Sequence, residues 1–364
     1  MALQQTRRTR FVCISDTHNC TVKLPKGDVL IHCGDLTNQG SFSELSKQVA
    51  WLEGAEFECK LVIAGNHDLT LDPEFFKQYG NYFHNNTPQN PDDCRNLLTQ
   101  SKFLIYLQHS GRTIKLTSPS GPRTTFTVFG SPYVPSCGKW AFQYPRSDSA
   151  AAEKIWNDIP LDTDILITHG PARTHRDESR REAAGCESLR QAMWRVRPRI
   201  ALCGHIHEGR GVERVRWDLS NKFVRYKEME STYQWQDPGL GNEKNCLVDL
   251  TAKSGMPLDN DGSKVPSPPL SSTPAVHIGT GHATTAMATT TSEGASPGIG
   301  TRGLSGNPDS ARSNGPVLAG RLGRRETCVV NCAIQAASYP HSGPRRLHKP
   351  IVIDIDLPVW ENDS

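Results

Sequence analysis

The sequence predicts an α/β fold in which helices cover sheets, and three observations predict it. Short Val/Ile/Leu-rich runs bounded by Gly, Asp or Pro recur along the chain. Stretches with helical spacing lie between several of them. A short polar motif stands at or near the end of five of the runs. Apolar runs of this length that do not alternate with polar residues read as strands covered on both faces.

In chain order, the run Phe11–Ser15 leads into Asp16-Thr17-His18, and Asp28–His32 leads into Gly34-Asp35. Ser41–Trp51 reads as a helix. Ser41 with Glu44 forms a capping box, and Leu45, Val49 and Leu52 share one face. Leu61–Ala64 then precedes Gly65-Asn66-His67-Asp68. The run Thr125–Phe129 is followed by a helical pattern at Ala150–Trp156. Asp164–Thr168 ends at His169-Gly170, and a further helical pattern occupies Glu187–Val196. Ile200–Cys203 precedes Gly204-His205-Ile206-His207, and the runs Thr327–Asn331 and Pro350–Leu357 close the sequence.

From about Ser254 to Arg321 the composition changes to Pro/Ser, Ala/Thr and Gly-rich tracts with few large apolar residues. Such a segment cannot bury enough surface to offset its backbone entropy, so it reads as a disordered low-complexity insertion. Apolar runs resume after it, and a long excursion costs little loop-closure entropy. The expected organisation is therefore one domain over 9–215 plus 326–360. A partly ordered, aromatic surface excursion is expected over 216–253 and the insertion over 254–321. Net charge is +3, from 41 Lys+Arg against 38 Asp+Glu. That balance gives no reason to expect nucleic acid or a membrane as partner. The eleven cysteines show no dense C-x-x-C framework and read as reduced thiols, which with the lack of a long apolar stretch predicts a cytoplasmic protein.

Taken alone, each polar motif is an ordinary strand-end turn; Gly and Asn in particular fit left-handed turns. The ordered set carries more. It gathers carboxylates, a carboxamide and imidazoles at the carboxyl ends of strands, where open α/β sheets place their sites. Hard oxygen ligands mixed with imidazoles suit a pair of divalent cations. Two such ions about 3.5–4 Å apart can clamp the attacking and leaving oxygens of an in-line displacement. Metal binding also lowers the pKa of water from about 15.7 toward roughly 7, and an imidazole near the ordinary pKa of about 6.5 suits general-acid work.

The residues from Phe11 to about Val215, resumed at Cys328–Trp360, resemble the calcineurin-like metallophosphoesterase superfamily. Its signature of D-x-H, G-D, G-N-H-[D/E], H and G-H-x-H is met in full and in order. The stretches Thr9–His18, Val62–His67, Thr168–Pro171 and Ile206–Gly209 are more closely similar to the metallophosphoesterase-domain-containing proteins. Class III cyclic-nucleotide phosphodiesterases are similar more loosely. The resemblance implies a four-layer αββα metallophosphoesterase sandwich with two divalent metal ions, Mn, Fe or Zn. On it, Asp16, His18, Asp35 and His207 would hold the first metal, with Asp35 bridging to the second. Asn66, His169 and His205 would complete the second, and His67 would stay off the metals as proton donor. Some relatives carry Gly in place of the first His of the last motif, whereas this chain keeps His205.

The expected activity is that of a metal-dependent phosphodiesterase acting on a small phosphoester, with cyclic nucleotides among its candidate substrates. Gly34–Gly40 lacks the second Asp and the Arg usual in protein Ser/Thr phosphatases, and it offers no Tyr of the purple-acid-phosphatase kind. Arg173 and His175 are candidate phosphate contacts, although a solvated basic loop explains them as well. Trp140 is a candidate base-stacking residue on a segment, Ser131–Arg146, that would cover the site. His32 reads as a packed core residue. The alternative function is a metal-binding scaffold that keeps the fold with little catalysis.

Overall fold

A computed structural model describes residues 5–179, 184–218, 228–229, 233, 235–260, 323–336 and 346–360. In chain order the elements are β1 (Thr6–Ile14), β2 (Val29–Cys33), α1 (Phe42–Glu53), β3 (Cys59–Ile63), α2 (Pro73–His84), α3 (Pro91–Thr99) and β4 (Ile105–Tyr106). There follow β5 (Ser110–Lys115), β6 (Thr125–Ser131), β7 (Val134–Pro135), β8 (Gln143–Tyr144), α4 (Ser149–Asn157), β9 (Ile165–Thr168) and α5 (Glu187–Val196). The remainder are β10 (Ile200–Cys203), β11 (Gly211–Trp217), β12 (Glu228–Met229), β13 (Cys246–Asp249), β14 (Glu326–Asn331) and β15 (Ile351–Pro358).

Two mixed sheets result, ordered β13-β15-β1-β2-β3-β4 and β12-β11-β14-β10-β9-β6-β5. Strict period-2 alternation of side-chain direction explains how they stack. Phe11, Cys13, Val29, Ile31, Leu61 and Ile63 of the first sheet meet Val128, Ile165, Leu202 and Val330 of the second in a central core. The intervening residues Val12, Leu30 and Val62 turn outward onto Leu45, Val49 and Leu52 of α1 and Leu98 of α3. On the far side Leu166, Ala201 and Val329 pack on Trp156 of α4 and on Leu189, Met193 and Trp194 of α5. The four layers are therefore α, β, β and α. Polar capping fixes where α1 begins: Ser41 and Glu44 form the expected reciprocal box.

Parallel pairing positions the functional end. β1, β2 and β3 run parallel in register, as do β6, β9, β10 and β14, so their carboxyl ends finish together. A parallel bridge between Ser15 and Ala333 ties the two sheets at that end. The backbone adds Asp16 N–H to Gly34 O at 3.0 Å and Gly204 N–H to His169 O at 2.9 Å.

Elements beyond those anticipated include α2 and α3. Each opens on a side-chain cap followed by proline, Asp72-Pro73 and Asn90-Pro91. Neither has an aliphatic stripe; the buried residues are Gly80 and His84 in one, Cys94 and Leu98 in the other. The stretch expected as a surface excursion supplies β13, the edge strand beside β15. Trp217 is buried, and its indole N–H donates to Thr327 Oγ1 at 3.0 Å. The insertion expected over 254–321 lies outside the described residues from 261 onward. Its first seven residues are described and tied down: Asn260 forms an antiparallel bridge with Arg324, and its amide donates to the carbonyls of Arg197, Pro198 and Glu326.

Candidate metal centre

The five motifs meet where the two sheets end. Asp16, His18 and His207 place one ligand atom each within 4.8 Å of one another, and so do Asp35, His169 and His205. Asp35 also reaches the first set through His18. Its Oδ2 lies 3.6 Å from His18 Nε2 and 3.4 Å from His169 Nε2. His207 Nε2 stands 3.4 Å from Asp16 Oδ1, and Asn66 Oδ1 stands 3.0 Å from His169 Nε2. All but His205 are buried to below one tenth exposure, Asp16 and His169 to zero.

Backbone carbonyls orient the rings. His169 Nδ1–H donates to Cys33 O at 2.9 Å, and His18 Nδ1–H donates to Thr37 O at 3.2 Å. Each bond turns Nε2 toward Asp35, the orientation from which an imidazole can take a metal once that nitrogen is free of a proton. The His205 backbone N–H donates to both Asp16 oxygens at 3.0 Å. The His67 N–H donates to Asp35 Oδ1 at 2.8 Å. Both carboxylates are thus aimed by the loop of another motif.

The chain reaches these positions through backbone that ordinary residues avoid. Asp16, His18, Asp35 and His205 have φ of 55°, 43°, 54° and 65°. Such left-handed conformations cost on the order of 1–3 kcal/mol each and persist only where the surroundings impose them. Glycine is required beside them. Gly34 has φ of 96°, and a Cβ there would meet Ala64 O at 2.6 Å and His169 Nδ1 at 2.7 Å. A Cβ on Gly65 would fall on Asp35, and one on Gly204 would fall on Ser15 and Asp16.

Charge is arranged as a metal site needs. Burial pushes the Asp16 carboxyl up, but the His207 hydrogen bond and charge more than reverse it, to about 2. Asp35 is also held well below the usual carboxylate range; burial opposes this, and His169 and His67 prevail. Burial drives His205 down to about 3 and His18 down to about 4, so both are neutral donors of a lone pair. His169 goes the other way. Against burial, Asp35 raises it to about 9, a proton that a cation at Asp35 would displace.

His67 differs from the others. Its Nδ1–H donates to Asn38 O at 2.9 Å, and its ring stacks on Trp140 with centroids 4.0 Å apart and planes 29° apart. It stands edge-on to His18 at 4.8 Å, and one of its nitrogens also lies within 4.8 Å of ligand atoms of His18 and Asp35. Trp140, expected at a substrate, is therefore placed against the face of His67. His175, expected near phosphate, is turned away: Nδ1 is 2.6 Å from Glu213 Oε1 and Nε2 is 3.1 Å from Glu228 Oε1. Both ring nitrogens are engaged and the residue is buried, so a structural ion cluster replaces the expected phosphate contact. Arg173 is exposed on the loop after β9. His32 is fully buried, with Nε2 2.9 Å from Thr17 Oγ1.

One supporting residue escaped sequence reasoning. Asp68 is completely buried and accepts from Gly65 N–H at 2.9 Å, Leu36 N–H at 3.2 Å, Thr37 N–H at 3.0 Å and Thr37 Oγ1 at 2.7 Å. It ties the Asp35 loop to the Asn66 loop. The signal was its place as the last letter of Gly65-Asn-His-Asp68, a carboxylate with no role in a cation shell.

The family comparison covers the same motifs. Residues 9–209 fit the family model for calcineurin-like phosphoesterase. The chain belongs to that family. Curated relatives of this chain include metallophosphoesterase domain-containing protein 1 of Homo sapiens, 43% identical over 56% of this chain and 62% of that protein. Another is probable rhamnogalacturonate lyase C of Emericella nidulans, 43% identical over 58% of this chain and 18% of that one. The chain thus spans less than two thirds of either relative. Among solved structures, a purple acid phosphatase from yellow lupin seeds matches at 15% identity with a TM-score of 0.32, over 60% of this chain and 42% of that one. No described helix is long and apolar enough to cross a membrane.

Proposed function

We propose that the protein is a metal-dependent phosphodiesterase, with cyclic nucleotides among its substrates, that hydrolyses the ester by in-line attack on phosphorus. The observation that carries the reading is the single oxygen Asp35 Oδ2 standing between His18 Nε2 and His169 Nε2, at 3.6 and 3.4 Å. An oxygen shared in this way by two imidazoles could serve two cations at once. The donor set fits: three anionic or carboxamide side chains and the imidazoles of His18, His169, His205 and His207 suit Mn²⁺, Fe or Zn²⁺.

Asp16, His18, Asp35 and His207 would hold one ion, and Asp35, Asn66, His169 and His205 the other. Bound there, the pair supplies charge neutralisation for the phosphate and activation of water near neutral pH. The chain's own residues do the rest. Asn38 O takes the Nδ1 proton of His67 in a hydrogen bond, which leaves Nε2 to carry the proton that the leaving oxygen needs. The His67 N–H and the His205 N–H hold Asp35 and Asp16 at their angles.

The test is hydrolysis of bis(4-nitrophenyl) phosphate and of a cyclic-nucleotide panel by the Mn²⁺-loaded full chain. Activity that disappears on chelation and in Asp35→Ala, and falls in His67→Ala with metal content retained, supports the reading. A fully loaded protein inert toward every diester tested refutes it and leaves the scaffold as the function. Hydrolysis of the aryl diester alone removes cyclic nucleotides from the proposal.

A further inference from the structure

We infer that Trp140 is a positioning residue for proton transfer: its indole fixes the plane of the His67 ring and so the direction of the proton on Nε2. The inference rests on the reading of His67 as proton donor. Hydrolysis adds water across the P–O bond to the leaving group, and the leaving oxygen takes the Nε2 proton as that bond breaks. General acid catalysis of this kind depends on heavy-atom placement within hydrogen-bond reach.

One hydrogen bond, from Nδ1 to Asn38 O at 2.9 Å, leaves an imidazole free to pivot about that contact. The face of Trp140, 4.0 Å away and within 29° of parallel, removes the pivot. His18 adds a second ring contact, edge-on at 4.8 Å and 89°. Trp140 is itself held through its two C-terminal neighbours. The Ala141 N–H donates to Asn66 O at 3.1 Å, and the Phe142 N–H donates to Asp72 Oδ2 at 2.7 Å. Ala141 and Phe142 are buried, and Phe83 of α2 packs against the indole at 5.6 Å. The loop that carries Trp140 is thus pinned to the residue before His67, so indole and imidazole keep their relation. A partly exposed tryptophan stacked on an imidazole that already has its hydrogen-bond partner is explained by control of the ring.

The experiment compares two methyl phosphodiesters, one with a 4-nitrophenyl and one with a phenyl leaving group, on the Mn²⁺-loaded full chain. Phenoxide is the poorer leaving group and depends more on the proton. Trp140→Ala is expected to lower kcat for the phenyl ester about ten- to hundredfold and for the nitrophenyl ester only a few fold, with KM little changed. His67→Ala should show the same leaving-group pattern, and the double variant should be no slower than His67→Ala alone. Trp140→Phe, which keeps a flat ring, should recover most of the loss. A loss in Trp140→Ala that is equal for both esters, or confined to KM, overturns the inference while His67→Ala keeps its leaving-group dependence. Equal losses for both esters in His67→Ala overturn the reading of His67 and the inference with it. Metal content and a thermal melt accompany each variant, and if Trp140→Ala does not fold, Trp140→Leu and Trp140→Phe supply the same comparison.

Discussion

His175 makes stability fall as pH rises through the alkaline side of neutrality. Its imidazole lies between Glu213 of β11 and Glu228 of β12, and Arg190 of α5 grips Glu228 through Nε at 2.9 Å and Nη2 at 2.7 Å. Burial alone would lower the pKa of His175, but the two carboxylates outweigh it and raise it to about 9. The folded state therefore holds a proton that the unfolded chain releases near pH 6.5. Stabilisation from a raised pKa is complete below the unfolded value and is lost as pH climbs through the folded one. Each tenfold gain in proton affinity on folding is worth about 1.4 kcal/mol, so His175 contributes roughly 3 kcal/mol near pH 6 and little above about pH 9. Glu228, held at about 2 against burial by Arg190 and His175, has the opposite limb. Its share is present above about pH 4.5 and is lost as pH falls through about 2. The assay is urea unfolding of wild type and His175→Gln at several pH values between about 6 and 9. The wild type should lose about 3 kcal/mol more than the variant across that span. Parallel curves would refute the assignment, because a neutral His175 would have no proton to lose.

Three further outcomes concern how the site loops and the chain around the insertion are tied down. Asp68→Asn sets an amide against four donors and should destabilise the protein by roughly 2–3 kcal/mol in urea unfolding, with weaker metal retention on dialysis. Excising 261–321 with a short glycine linker should leave the melting temperature close to wild type. Excising 254–321 removes Asn260 and the Met256 and Pro257 carbonyls that accept from Arg214, and should cost about 3 kcal/mol or more.

Much of this was legible in the sequence because it depends on spacing. The buried strands announce themselves as unbroken aliphatic runs, since both faces of each sheet are covered. Ser41 with Glu44 marks a helix start through chemistry local to four residues. The convergence of the candidate ligands was legible for a related reason: each motif sits at or just past a strand end, and parallel strands deliver their ends to one edge. Partners supplied from a distance were not legible. Nothing near His175 in the sequence says that Glu213 and Glu228 will claim both nitrogens. Nothing near Trp140 says that Ala141 will bind Asn66 O and turn the indole onto His67. β13 was hidden because Cys246–Asp249 is four residues long, with Leu247 half-buried and Asp249 exposed at a sheet edge.

The strained ligand loops connect these levels. A strand that simply ended would point Asp16 or Asp35 along the sheet; a left-handed turn immediately after it points the carboxylate across the sheet edge instead. The left-handed φ at Asp16, His18, Asp35 and His205 is therefore the means by which extended backbone from both sheets is made to converge on one point. Strain of on the order of 1–3 kcal/mol per residue has to be imposed by structure that does not yield. The imposing structure is present: a core of interlocked aliphatics below, three glycines that let the loops touch, and Asp68 binding two loops from behind. Asp35 Oδ2 and His169 Nε2 face each other at 3.4 Å, which holds the carboxyl low and raises the imidazole to about 9. The candidate ligands are thus held in place at a cost in stability, which is expected where geometry serves chemistry rather than folding.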